Sequence, residues 1–124
     1  MQLRTVGLLS PGEMGHVVAK VLIEEGMPVV TCLEDRSELT RSLAKEVGIR
    51  EVESYNQLVS ESDMILSILV PAEAKKVAKK VVVATKATGD QIIYVDCNAI
   101  APNTTKSINK IVTEAGNQFV DAGI

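Results

Sequence analysis

Two short stretches of the chain carry residue types that could hold a phosphorylated nucleotide. The first is Ser10-Pro11-Gly12-Glu13-Met14-Gly15, directly after the apolar run 6–9. A dinucleotide loop has the pattern G-x-G-x-x-G between a strand and a helix. Gly12 and Gly15 occupy its second and third glycine positions, and Ser10 stands in for the first. At the second position a side chain would obstruct a pyrophosphate, and at the third it would hold the helix away from the strand. A helix beginning near Glu13 would offer unpaired N–H groups and a partial charge of about +0.5 to an anion. Ser10 must then make a turn that glycine makes without strain. Its hydroxyl can bond nearby backbone and Pro11 pre-sets its own φ, so the turn stays tight. The Ser10 hydroxyl is also a candidate phosphate donor.

The second stretch is Leu33-Glu34-Asp35-Arg36-Ser37. An acidic residue about 20 positions past the glycines commonly holds adenosine ribose hydroxyls, and Glu34 fits that spacing. Arg36 and Ser37 follow at once, and an arginine there suits a 2′-phosphate. Arg36 therefore favours NADP, while Glu34 keeps NAD open. Asp35 also suits a helix N-cap, with Glu38 three residues on, and capping is compatible with either ligand.

Other reactive side chains are few. His16, the one histidine, falls in the first turn of the helix after the loop. It reads as a packing or surface residue, with a cofactor contact as the second reading. Cys32 and Cys97 have no metal-ligand spacing and are too few for a disulfide framework. No metal site is expected, because no spot gathers enough ligands.

The elements that would position these residues alternate regularly. Apolar runs at 4–9, 29–33, 64–69, 91–95 and 118–120, with a shorter one at 51–53, read as strands buried on both faces, as a parallel sheet requires. Between them lie helical segments at 13–25, 38–47, 55–61, 72–85 and from Pro102 to about Gly116, with Gly26 and Gly48 as stops and Pro71 and Pro102 at helix starts. In the 72–85 helix, Ala74, Val77, Ala78, Val81, Val82 and Thr85 share one side. Lys75, Lys76, Lys79, Lys80 and Lys86 share the other, which reads as a solvated face. Such alternation predicts a single α/β domain: a doubly wound, Rossmann-type parallel sheet of strand order 3-2-1-4-5-6. In that order Cys32 and Cys97 are three strand spacings apart, about 14 Å at ~4.8 Å each, and should not pair. The ligand crevice falls where strand order reverses, beyond the ends of strands 1 and 4.

Composition excludes several other classes. Tyr55, Tyr94 and Phe119 are the whole aromatic inventory and the net charge is −3, so neither stacking rings nor a basic groove is available for nucleic acid. No apolar stretch reaches the ~18 residues of a membrane span. The segment MQLRTVGLL lacks a small-residue cleavage site and reads as a first strand, which makes the cytoplasm the expected compartment.

Four blocks, in this order, resemble the N-terminal domain of the β-hydroxyacid dehydrogenases, the group of 3-hydroxyisobutyrate dehydrogenases and 6-phosphogluconate dehydrogenase-like proteins. They are Gly12-Glu13-Met14-Gly15, Val70-Pro71 in SDMILSILVP, Asp96 to Pro102 in DCNAIAP, and the final FVDAGI, similar to the strand that leads into the family's substrate loop. The segment LEDRS resembles a 6-phosphogluconate dehydrogenase-like subgroup. The resemblance implies an NAD(P)-dependent oxidoreductase that transfers hydride between nicotinamide and a small 3-hydroxy acid. Val70 and Pro71 would form the wall beside the nicotinamide ring. Asn98-Ala99 stand where many members have Ser-Thr near the nicotinamide and the substrate carboxylate, and Asn98 can donate to either. The family's catalytic lysine lies in a helical domain, also used for dimerisation, beyond the strand-6 segment, and no lysine here matches it. Residues 1–124 are thus expected to be the cofactor domain of a longer protein, inactive alone and dimeric through the missing domain. Two alternatives remain open at this stage. One is a sensing or regulatory module that binds NAD(P) without turnover. The other is a methyltransferase using S-adenosylmethionine, whose cofactor lacks the phosphates that Gly12 and the helix start are suited to receive.

Overall fold

A computed structural model describes residues 4–9, 13–32, 38–98 and 101–122. The elements run β1 (Val6–Leu9), α1 (Glu13–Glu24), β2 (Val29–Cys32), α2 (Glu38–Val47), β3 (Arg50–Val52), α3 (Tyr55–Glu61), β4 (Met64–Ser67), α4 (Pro71–Thr88), β5 (Ile93–Asp96), α5 (Pro102–Glu114) and β6 (Gln118–Asp121). All six strands are parallel and form one sheet of order 3-2-1-4-5-6, as the alternation of elements predicts.

β1 and β2 are buried along their whole length because helices cover both faces. On one face Leu9, Val30, Ile65 and Tyr94 pack with Leu58 of α3, Val77 and Val81 of α4 and Ile108 of α5. On the other, Leu8 and Val29 pack with Ala19 of α1 and Ala44 of α2. Alternation of side chains along each strand divides the core in this way. Each fully buried valine or leucine contributes about 1.5–3 kcal/mol.

α4 shows the expected two faces. Ala74, Val77, Ala78, Val81, Val82 and Thr85 are buried, and Lys75, Lys76, Lys79 and Lys86 are exposed. The Lys80 ammonium lies 5.7 Å from the centre of the Tyr55 ring. The helix runs three residues past the expected end at 85. Its last turn, Lys86 to Thr88, is exposed and leaves no apolar signal. The chain is stopped instead by Gly89 in the left-handed region, φ 78°, where a side chain would be strained.

Polar side chains also tie the elements together. Asn117 Oδ1 accepts from Ile92 N–H at 3.0 Å, and its Nδ2 donates to Thr85 Oγ1 at 3.2 Å. The Asp63 carboxylate accepts from the backbone N–H groups of Arg4 and Thr5 and so joins the amino ends of β1 and β4. Cys32 and Cys97 do not form a disulfide. Among the described residues, no helix is long and apolar enough to cross a membrane.

Candidate functional site

Strand order reverses at β1, whose neighbours β2 and β4 lead to helices on opposite faces of the sheet. Beyond the carboxyl ends of β1 and β4, with Leu9 opposite Ser67, lies the crevice that open α/β sheets use for ligands. Two chain segments enter it from the described part of the molecule. One is the start of α1, which begins at Glu13, with Met14 and the buried Gly15 in its first turn. The other is the link from β4 to α4, where Val70 is the N-cap residue and Pro71 the first helical residue. Of the sequence-predicted site, Ser10, Pro11, Gly12, Glu34, Arg36 and Ser37 lie outside the described residues, and so does Ala99.

Val70 is 63% exposed, as other valines such as Val17 and Val83 also are. Proline after it fixes φ where the helix starts and donates no hydrogen bond there. A buried polar side chain joins the ends of β4 and β5. Asn98 is 6% exposed, and its Oδ1 accepts from Leu69 N–H at 2.5 Å. Its Nδ2 donates to Ser67 Oγ at 3.0 Å. Asn98 N–H in turn donates to Asp96 Oδ1 at 2.9 Å. The Asn98 amide therefore spends its acceptor and one donor hydrogen on β4. The sequence pattern pointed to Asn98 and gave no sign of this inward pairing.

Asp96 has a distinctive environment that the sequence pattern does not signal. It is 1% exposed, and Oδ2 has no hydrogen-bond partner among the described residues. Burial pushes its carboxyl above the usual carboxylate range, with the charge of neighbouring Asp121 adding to the shift and the Asn98 N–H bond offsetting part of it. The next residue, Cys97, has its thiol pushed up by burial and by Asp96, which disfavours the reactive thiolate. His16 Nε2, in the first turn of α1, is likewise buried without a hydrogen-bond partner among the described residues.

The raised pKa of Asp96 has a consequence for stability. The folded state holds this proton more tightly than the unfolded chain, so its contribution is fully favourable below the ordinary aspartate value. That contribution is lost as pH rises from there through the folded value. Asp96→Asn keeps an acceptor for Asn98 N–H and removes the charge. Its melting temperature should exceed that of the parent at pH 7, with the gap narrowing as pH falls towards ~4. Parallel melting curves across that range would show that the carboxyl is not perturbed.

Comparison with known proteins gives three kinds of match. The family model for the NAD binding domain of 6-phosphogluconate dehydrogenase matches residues 5–124. An uncharacterized 28.5 kDa protein of Methanothermus fervidus is 34% identical over 119 residues, which are 96% of this chain and 44% of that protein. Among solved structures, the conserved protein MTH1747, described as structurally similar to 3-hydroxyacid dehydrogenases, is 30% identical with a TM-score of 0.84; the match covers 97% of this chain and 43% of that one. The 3-hydroxyisobutyrate dehydrogenase of Mycobacterium tuberculosis shares the fold at a TM-score of 0.80 and 19% identity, over 97% of this chain and 40% of that enzyme. The chain thus spans less than half the length of the relatives it matches. A family match that takes in every strand of the sheet and both sides of the crevice leads to one conclusion: the chain belongs to the NAD-binding domains of the 6-phosphogluconate dehydrogenase family.

Proposed function

We propose that this domain binds a nicotinamide dinucleotide, NADP in preference to NAD, across the ends of β1 and β4, and that it serves a longer dehydrogenase acting on a 3-hydroxy acid-type substrate. The observation that carries this reading is the match to an NAD-binding family model over residues 5–124, which takes in the reversal of strand order at β1.

The roles follow from chemistry and position. Ser10, Pro11, Gly12, Glu13, Met14 and Gly15 would hold the pyrophosphate, through backbone N–H groups and the helix start. Glu34, Arg36 and Ser37 would hold the adenosine ribose and its 2′-phosphate. Val70 and Pro71 would lie against the nicotinamide ring, with Asn98 beneath them. When bound, the cofactor supplies hydride exchange with the carbinol carbon of the substrate. The general acid–base group is a lysine in a second, helical domain outside residues 1–124, which would also carry the dimer contact. The length of the relatives, more than twice that of this chain, supports this division of labour.

The test is a calorimetric titration with NADPH and NADH side by side. NADPH should bind at least about tenfold more tightly than NADH, a difference of ~1.4 kcal/mol. Binding of neither would overturn the reading, and tighter binding of NADH would reverse the choice of cofactor.

A further inference from the structure

We propose that Asn98 is a positioning residue: it clamps the exit of β4 so that Val70 and Pro71 are presented at a fixed place to the nicotinamide half of the dinucleotide. The inference rests on the dinucleotide reading above and adds a residue that acts on that ligand through its neighbours.

The geometry is specific to the end of the sheet. The β4–β5 ladder continues one step past β5, where Cys97 N–H donates to Ser67 O at 3.0 Å. A regular parallel ladder would next pair Leu69 N–H with a backbone carbonyl of the β5 side. The chain after β5 turns away instead, held by the bond from Asn98 N–H to Asp96 Oδ1. The Asn98 side chain takes over the missing pairing. Its Oδ1 receives Leu69 N–H and its Nδ2 reaches Ser67 Oγ, so residues 67 and 69 are gripped by one amide. Val70 follows Leu69 directly, and Pro71 then commits the chain to α4. The segment between β4 and α4 is only three residues long, so a fixed Leu69 leaves Val70 little freedom. With Asn98 almost fully buried, its effect on a ligand must pass through this segment. The adenine half would be held elsewhere, beyond β1 and β2. Loss of the clamp should therefore be felt by one half of the ligand and not by the other.

The experiment combines two readouts on the protein and its Asn98→Ala and Asn98→Leu variants. Amide exchange followed by NMR reports the clamp directly: the Leu69 amide should exchange at least about tenfold faster in both variants, since its acceptor is gone. Calorimetry with NADPH and with 2′-phospho-ADP-ribose reports the consequence. NADPH affinity should fall about tenfold, while affinity for 2′-phospho-ADP-ribose stays within about twofold. Leucine keeps the branched shape and heavy-atom count of asparagine without either hydrogen bond, so it should behave like alanine. Ser67→Ala, which removes only the Nδ2 acceptor, should show the same pattern more weakly. Equal losses for the two ligands, unchanged NADPH binding, or recovery in the leucine variant would overturn the proposal. Binding of neither ligand by the parent protein would overturn it together with the dinucleotide reading, a result distinguishable because it appears without any substitution.

Discussion

Gly7→Val should lower the melting temperature by about 12 °C. Gly7 lies on β1, and a Cβ there would meet Ser62 Oγ at 2.5 Å, Ile65 Cγ1 at 3.0 Å and Ser62 Cβ at 3.2 Å. Ser62 is the C-cap residue of α3 and is 6% exposed. Because its Cβ is crowded as well as its hydroxyl, rotating the hydroxyl cannot clear the space. Overpacking of this kind costs ~1–3 kcal/mol, and the branched side chain puts valine near the upper end. At ~4 °C per kcal/mol for a domain of this size the shift follows. Replacing glycine also restricts the unfolded chain, a gain of only ~0.4–1 kcal/mol, which is too small to offset the clash. A suppressor can be named from the same contacts. Ser62 Oγ is buried without a hydrogen-bond partner among the described residues, so Ser62→Ala alone should be neutral or slightly stabilising. Gly7→Ala should then be milder in the Ser62→Ala background than in the parent, a coupling measurable by a double-mutant cycle. Strict additivity would show that the crowding lies elsewhere.

Arg36→Ala should weaken NADPH binding by about 10–100-fold and change NADH binding by less than about threefold. The expectation follows from charge: a hydrogen bond between a guanidinium and a phosphate contributes ~1.5–3 kcal/mol, and only NADPH carries the extra phosphate. Salt should narrow the gap between parent and variant, because added ions screen the attraction between a guanidinium and a phosphate. Equal losses for both cofactors would make Arg36 a structural residue of the loop before α2. No loss for either would leave Glu34 as the ribose contact and favour NAD.

Local signals in the sequence located most of the fold. α2 and α3 have their expected bounds because each end is set by residues next to it. Gly48, at φ 89°, follows α2, and Ser54 caps α3 by accepting from Gln57 N–H at 3.1 Å. Pro71 and Pro102 also sit at the first position of their helices. The departures arise where partners are distant in sequence. β5 was expected at 91–95 and runs from Ile93 to Asp96. Ile92 N–H is taken by the Asn117 side chain, and the strand ends on a carboxyl that apolar patterning would leave outside. β4 stops at Ser67, two residues short of its apolar run, because Asn98 captures Leu69 N–H. In the candidate site, spacing alone points to the Ser10–Gly15 stretch, of which Ser10, Pro11 and Gly12 lie outside the described residues. The inward pairing of Asn98 and the crowding at Gly7 could not be read that way, since each depends on a segment brought close only by the finished sheet.

The place of β1 between β2 and β4 also bears on how the chain is made. β1 leaves the ribosome with β2 soon behind it, but β4 is about 60 residues away, or about 3–12 s of synthesis at ~5–20 residues per second. Until β4 arrives, the strand destined for the centre of the sheet is an edge, with backbone donors and acceptors open to any other extended chain. For those seconds, a nascent protein with this strand order depends on chaperones or on dilution to keep its most apolar strand from pairing with a neighbour.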